Sequence, residues 1–403
     1  MPKVKSDLHK KTRVLIVSSV IPVEHSGAGC LTMYRHFALA GDFDVAFATE
    51  RDFKETSLPY FKITYSRIAA RIRKSRHVRV LTNADYVRNW FSLPDGLEDF
   101  ARKFKPDVIF SVVDDWHMGL AWGLSRKLNI PLAVDFQDLF ALSTFIGEYF
   151  RPYPPVREFL LARYRFLNRN AEVVFHVGQG MKEWFRGEER GDLLYPMASI
   201  PDDTRPHDIG NRENAGPVKI VYTGNCRGPY GRMVLRFADA VQGDPRIQFQ
   251  IFSLGTDMPD ADLTRLKDAG IYRGYLPFAE LEPELRKAEA FLLVMSFEDA
   301  DKTFVETSFN TKWVDYVSYG KPIFVWGPAY SSASTFAKSE GAAAVIDVDE
   351  PEKVVDALVE CFEDPARTSV HSQMAKVAAE GALNPHRLQT LLKSRLQEAI
   401  LSQ

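Results

Sequence analysis

At 403 residues and a net charge of −2, the chain is long enough for two or three domains and has no overall field that would draw nucleic acid. Its 45% hydrophobic and 26% charged residues are those of a globular protein, not a disordered or fibrous one. No apolar run approaches a membrane span, no apolar stretch of a signal peptide follows the basic start MPKVKSDLHKK, and Cys30, Cys226 and Cys361 give neither a disulfide framework nor a metal-ligand spacing.

Arg13–Ser19 (RVLIVSS) predicts a buried strand, followed by the turn Ser26-Gly27-Ala28-Gly29 and a helix over residues 30–40. Strands follow at 44–49, 107–113, 132–136 and 173–177, with helices at 117–128 and 155–169. Between the second and third strands, Arg67–Arg79 (RIAARIRKSRHVR) fits a basic amphipathic helix beside Phe61, Tyr65 and Trp90. It reads equally as a solvated face. Asp114-Asp115-Trp116-His117 closes the strand DVIFSVV. The two carboxylates suit helix caps and lack the D-x-D spacing of a metal site. A lone histidine such as His117 or His176 is more often structural than catalytic, yet both stand near strand carboxyl ends.

A polar stretch rich in Pro and Gly, centred on 201–217, reads as a linker, and the pattern then restarts. Val218–Thr223 is a strand, Gly224–Gly231 a loop, and a helix runs to residue 241. Further strands are expected at 247–253, 291–295, 323–326 and 343–348. Strands alternating with helices imply parallel sheets covered on both faces. Two halves that each open strand, glycine loop, helix imply two doubly wound α/β domains facing a cleft, with ligands outside the strand carboxyl ends.

Within the second half, Ser308–Gly327 (SFNTKWVDYVSYGKPIFVWG) reads as helix, stop and strand. Asn310 or Ser308 caps the start, Gly320 ends the helix, and Pro322 keeps it ended. Thr311 and Lys312 fall in the first turn, where free N–H groups and the helix dipole favour a phosphate. Asp315 lies one turn on, so a cation and a carboxylate can grip a nucleotide diphosphate and its ribose together. The alternative is an exposed ion pair of small value.

This segment resembles the (P/S)-T-K-hydrophobic-x-(E/D)-Y-x-x-x-G-K-P signature of GT-B glycosyltransferases, above all the retaining family four. The match runs through Thr311, Lys312, Asp315, Tyr316, Gly320, Lys321 and Pro322, with Asp315 where Glu is commoner. The glycine loop after strand one, IPLAVDFQDLF, VYTGN and GYLPFAELEPELRKAEAFLLV occur in the family's order. The resemblance implies a GT-B fold of two Rossmann-like domains. An acceptor-side domain would span 1–200, a linker 201–217 and a nucleotide-sugar domain 218–383, with residues 384–403 a helix crossing back to the first domain. It implies a cytoplasmic hexosyltransferase, peripheral at the inner face of the membrane. Such an enzyme moves a sugar from a nucleotide-sugar donor to a hydroxyl of a saccharide or lipid-linked acceptor in polysaccharide or glycolipid synthesis, with retention. No cofactor, metal or nucleic acid is expected, and the basic segment would meet anionic lipid. A GT-B epimerase and a non-catalytic GT-B subunit are the alternatives.

The same resemblance supplies site residues. Gly27 and Gly29 let backbone amides approach the donor diphosphate or the acceptor. Gly224 and Asn225 open the matching loop of the second half. That loop lacks two family cations, with Asn225 and Tyr230 in their places, so Arg227 or Arg232, with Lys312 opposite, would neutralise the leaving diphosphate. Tyr275, Thr311 and Asp315 complete the nucleotide-sugar set. Gln137 replaces a family His beside the sugar; it can hydrogen-bond a hydroxyl but cannot shuttle a proton. Asp138 either orients the acceptor hydroxyl or caps the next segment, and His117 is the remaining catalytic candidate. Glu298, Asp299, Asp301 and Glu306 form either a sugar-contacting loop or a mobile acidic surface.

Overall fold

The computed structural model describes residues 11–24, 28–53, 56–64, 77–143, 150–198 and 216–403. The chain divides into two compact units, one of residues 1–177, 181–199 and 388–403, the other of 178–180 and 200–387. The first contains strands β1 (Thr12–Val17), β2 (Phe43–Thr49), β3 (Tyr60–Lys62), β4 (Val108–Val112), β5 (Leu132–Phe136), β6 (Val173–His176) and β7 (Asp192–Leu193). They form one parallel sheet in the order β3-β2-β1-β4-β5-β6-β7. The second contains β8 (Val218–Thr223), β9 (Ile247–Phe252), β10 (Tyr272–Gly274), β11 (Ala290–Val294), β12 (Ile323–Trp326) and β13 (Ala344–Ile346). Its order, β10-β9-β8-β11-β12-β13, repeats the same winding.

The central strands are apolar because both faces are covered. Val14–Val17, all of β4 and all of β11 are buried. In each sheet the winding reverses beside the first strand, between β1 and β4 and between β8 and β11. The loops leaving those two strands diverge to opposite faces, which opens a crevice at their carboxyl ends.

Several expectations shift. The first helix is regular only over Ala28–Met33 and widens into a π-helix over Tyr34–Leu39. That wide turn brings Arg35 and His36 inward, where they donate to the carbonyls of Met197 (3.0 Å) and Tyr195 (3.1 Å). The loop expected over Gly224–Gly231 is shorter, because the helix Gly228–Val241 begins at once with Pro229 in its first turn. The strand expected at 343–348 shrinks to β13. The edge strand β3, the short β7 and the edge strand β10 were not expected; at two or three residues they carry no periodicity to read. The helix Pro385–Leu401 packs on the first unit. There Gln389 donates to the His36 carbonyl (3.1 Å), and Lys393 and Arg395 pair with Asp42 (2.7 Å) and Asp192 (2.8 Å). Most of Arg67–Arg79 and nearly all of 201–217 lie outside the described residues, as does Gly27.

Candidate functional site

In the second unit, Thr223 ends β8, and its N–H donates to the Tyr316 hydroxyl at 2.8 Å. Tyr316 in turn stacks on Phe291 of β11, ring centroids 4.4 Å apart. One tyrosine therefore anchors the short helix Lys312–Val317 beside the crevice between β8 and β11. Gly224 follows with φ +104°, a backbone state for glycine, and a Cβ there would stand 2.9 Å from Lys312 Cε. The bare glycine lets the lysine stem lie across the loop. The Lys312 ammonium sits over the rings of Tyr222 (4.8 Å) and Tyr230 (4.7 Å). No carboxylate among the described residues lies within ion-pair distance of it. Burial brings its pKa down to about 8, against a smaller upward pull from Cys226 and Asp315. The exposed-pair alternative for Lys312 and Asp315 is thus overturned, since Lys312 is buried and Asp315 half-buried.

Asn225 holds the loop. Its carbonyl accepts the Tyr222 hydroxyl at 2.6 Å, and its Oδ1 accepts the Arg227 N–H at 3.1 Å. Arg227 is exposed, with its guanidinium over Gly255, where a Cβ would come within 2.8 Å of Nη2. Arg232 is spoken for. It donates to both oxygens of Glu298 (2.7 and 2.9 Å) and to Asp301 (2.7 Å), so its charge is cancelled within the fold. The acidic loop forms a 3-10 turn at Asp299–Asp301 with Asp301 buried, while Glu298 and Asp299 stay exposed.

At the helix start Asn310 takes the capping role expected of it, but the amides beyond it are not free. Asn310 Oδ1 accepts the Lys312 N–H (3.1 Å), while the Trp313 and Val314 N–H groups reach back to the carbonyls of Asn310 (3.2 Å) and Thr311 (3.3 Å). Those amides are engaged in a tight 3-10-type turn and are not free for a phosphate. The cation at this helix start is therefore the Lys312 side chain, and Thr311 is half-exposed. Lys321 stabilises the framework by donating to the carbonyls of Arg286 and Ala288 at the end of the helix Phe278–Lys287. Tyr275 lies apart from this group, in the turn after β10. It is 59% exposed, and Leu254 (80%) and Phe278 (60%) lie on the neighbouring turns after β9 and β10. The Ser253 N–H donates to the Gly274 carbonyl at 2.9 Å, which ties those two turns together.

In the first unit, the crevice between β1 and β4 holds Asp114. Its Oδ2 accepts the Ser19 N–H (2.8 Å) and the Ser18 hydroxyl (3.2 Å), and its Oδ1 accepts the N–H groups of Trp116 (2.9 Å) and His117 (2.6 Å). His117 is 1% exposed, with Nδ1 at 2.9 Å from Asp114 and Nε2 at 2.9 Å from Glu50. Burial alone would lower its pKa, but the two carboxylates win and raise it to about 9, while Asp114 is held near 2. Nδ1 is hydrogen-bonded to Asp114, and Nε2 faces Glu50 as a close ion pair without hydrogen-bond alignment, so His117 is a buried imidazolium between two carboxylates and not an open base. Glu50, at the end of β2, was not anticipated. Its partner becomes adjacent only through the sheet order. Asp115 turns the other way and accepts a short hydrogen bond from Tyr164, so the two neighbouring aspartates do not converge. His176 stacks on Phe136 and donates to the Arg190 carbonyl (3.0 Å), a structural setting. Gln137 and Gly29 come together, with Gln137 Oε1 at 3.3 Å from where a Gly29 Cβ would stand. Asp138 is half-buried beside Gln137.

Residues 32–192 match the model of a glycosyl transferase 4-like domain. No curated protein matches the chain in sequence. Among solved structures, sucrose-phosphate synthase from Thermosynechococcus elongatus is similar over 98% of this chain and 100% of its own, at 12% identity and a TM-score of 0.66. Anabaena HepE, crystallised with UDP and glucose, is similar over 96% of this chain and 100% of its own, at 14% identity and a TM-score of 0.61. α,α-Trehalose 6-phosphate synthase from Burkholderia multivorans is similar over 98% of both chains, at 10% identity and a TM-score of 0.60. At these identities the likeness is one of fold.

Proposed function

We propose that the chain, which has the GT-B fold and matches a glycosyl transferase 4-like domain in its first unit, is a glycosyltransferase that moves a hexose from a UDP-sugar to a hydroxyl acceptor with retention. The observation that carries the donor side is Lys312, a buried ammonium at the carboxyl edge of β8 with two aromatic rings and, among the described residues, no carboxylate against it. A cation so placed is completed by an anion from outside. The leaving diphosphate fits, because charge builds on its oxygens as the sugar bond breaks. Lys312 and the exposed Arg227 supply that charge without a metal. Asp315, on the helix that carries Lys312, accepts the ribose hydroxyls, and Tyr275 offers a flat, exposed ring for the base. The uridine assignment follows the UDP and UDP-glucose complexes of the HepE structures.

Gln137 touches the sugar near its reacting carbon. An amide is not a base near neutral pH, so the donor's own phosphate takes the acceptor's proton in a front-face displacement. The acceptor, a saccharide or a lipid-linked one of polysaccharide or glycolipid synthesis, lies against the first unit. The basic run Arg67–Arg79 supplies a peripheral contact with anionic membrane; no helix among the described residues is long and apolar enough to cross one.

Calorimetry with UDP, GDP, ADP and UDP-glucose, followed by a donor-hydrolysis assay, tests the reading. Selective UDP binding with slow release of free sugar is expected. Binding without turnover across a broad acceptor panel would favour a non-catalytic nucleotide-binding subunit. No binding of any nucleotide would refute the donor site.

A further inference from the structure

Asp135 and Gln137 lie two residues apart at the carboxyl end of β5, so their side chains leave the strand on the same face. Asp135 is 2% exposed. Its Oδ2 accepts the Gln137 Nε2–H at 2.8 Å, and its Oδ1 is buried with no partner. No cation among the described residues pairs with it, and burial against a single amide pushes its pKa up to about 7. A buried carboxyl with half its capacity unmet weakens a core that Leu or Val would fill without cost. Its neighbours along β5, Val134 and Phe136, are of that apolar kind.

The amide it meets is constrained on two further sides. Gln137 Nε2 lies 4.0 Å from Met33 Sδ, and Oε1 faces the space left by the missing side chain of Gly29, where a Cβ would also crowd Val20 at 3.0 Å. Gln137 itself is half-buried, so the amide is reached from outside while Asp135 is not. A free amide offers either its N–H or its oxygen. Here one Nε2–H goes to Asp135 and the other is directed at Met33 Sδ, so the oxygen is the part of the amide left for a ligand.

We propose that Asp135 is a positioning residue: its carboxylate takes the Gln137 N–H and so presents Gln137 Oε1, beside Gly29, as the acceptor for a hydroxyl of the transferred sugar. This rests on the glycosyl-transfer reading, which sets Gln137 against that sugar. The stability given up at Asp135 is thereby explained by orientation at Gln137.

The test compares Asp135→Leu, Asp135→Asn and Gln137→Ala for melting temperature, UDP affinity, turnover of UDP-glucose and the side-chain amide resonances of Gln137. Asp135→Leu is expected to melt at or above the wild type and to bind UDP unchanged. It should lose about tenfold to a hundredfold in kcat, the range of one hydrogen bond to a charged group. Asp135→Asn, whose Oδ1 still accepts, recovers most of that loss, and adding Asp135→Leu to Gln137→Ala lowers turnover no further. Full turnover in Asp135→Leu, or a parallel fall in stability and turnover that Asp135→Asn does not rescue, overturns the proposal. If the wild type turns over no donor, the transfer reading fails and the amide resonances decide. A shift in Asp135→Leu but not in Asp135→Asn supports positioning; no shift in either overturns it.

Discussion

The two sheets share one winding, yet their crevices treat charge in opposite ways. Between β1 and β4, Asp114, His117 and Glu50 answer one another within 3 Å, and the imidazolium is consumed by two carboxylates. Between β8 and β11, Lys312 meets aromatic faces, and Arg227 pairs with no carboxylate among the described residues. Arg232, nearby, is cancelled by Glu298 and Asp301. Topology sets where a ligand can lie; the remaining charge sets what kind. A crevice whose ions are matched internally is a framework. One with unmatched cations is finished by an anion.

The sharpest way to break this comparison is His117→Gln. Removing the cation strands two carboxylates in the first unit, which should lower stability by about 3–5 kcal/mol. UDP affinity, which we propose is carried by the second unit, should be unchanged in the folded variant. The pH sign is fixed. His117 titrates higher in the folded chain (about 9) than unfolded (near 6.5), so its contribution is whole below pH 6.5 and is lost as pH rises through 9. The gap between wild type and variant in denaturant titrations should therefore close from pH 7 to pH 9.5. A gap that widens, or a loss below 1 kcal/mol, would show the ion cluster to be incidental.

Next in size is Lys312→Met, which keeps the stem between the tyrosines and deletes the charge. If that charge meets the leaving diphosphate, kcat should fall about a hundredfold to a thousandfold, with a smaller loss in donor affinity. Arg227→Ala should act in the same direction, and less strongly because Arg227 is solvated. Wild-type turnover in both would move the phosphate site elsewhere. Asp315→Ala follows. Loss of a charge-assisted bond to ribose should weaken UDP by about tenfold to a hundredfold while the fold is kept, and unchanged affinity by calorimetry would remove Asp315 from the site.

Much of this was legible in the residues. The long apolar strands and the helix, Gly320 stop and strand of residues 312–326 are local features, and the sequence period shows them. The partners of Lys312 are not local. Tyr222 and Tyr230 flank a loop far away in the chain, and Tyr230 reads from sequence as a lost cation when it is in fact a wall of the lysine's pocket. Two tyrosines bracketing a glycine loop were the only signal available. Glu50 and His117 meet because β2 and β4 flank β1, which becomes apparent only once the strand order is known. The helix start at Lys312 looked open to phosphate because, although the Asn310 cap was legible, the tight turn that takes the next two amides was not.

The smallest expected effect concerns protons and tests the unmatched cation directly. Lys312 is lowered from 10.5 to about 8 by burial, so near pH 7 most free protein carries the charge, and above pH 8 most does not. A bound diphosphate favours the charged form and raises that pKa. Binding at pH 8.5 must then take up a proton, and UDP affinity should be flat near pH 7 and fall above pH 8, by at most about tenfold per pH unit. Above pH 8 the UDP phosphates are ionised, so the slope there belongs to the protein. Calorimetry in buffers of different ionisation heat reads the proton count, and Lys312→Arg, charged throughout, should bring it to zero. Proton release in the wild type, or uptake that persists in Lys312→Arg, would mean that some other group meets the phosphate.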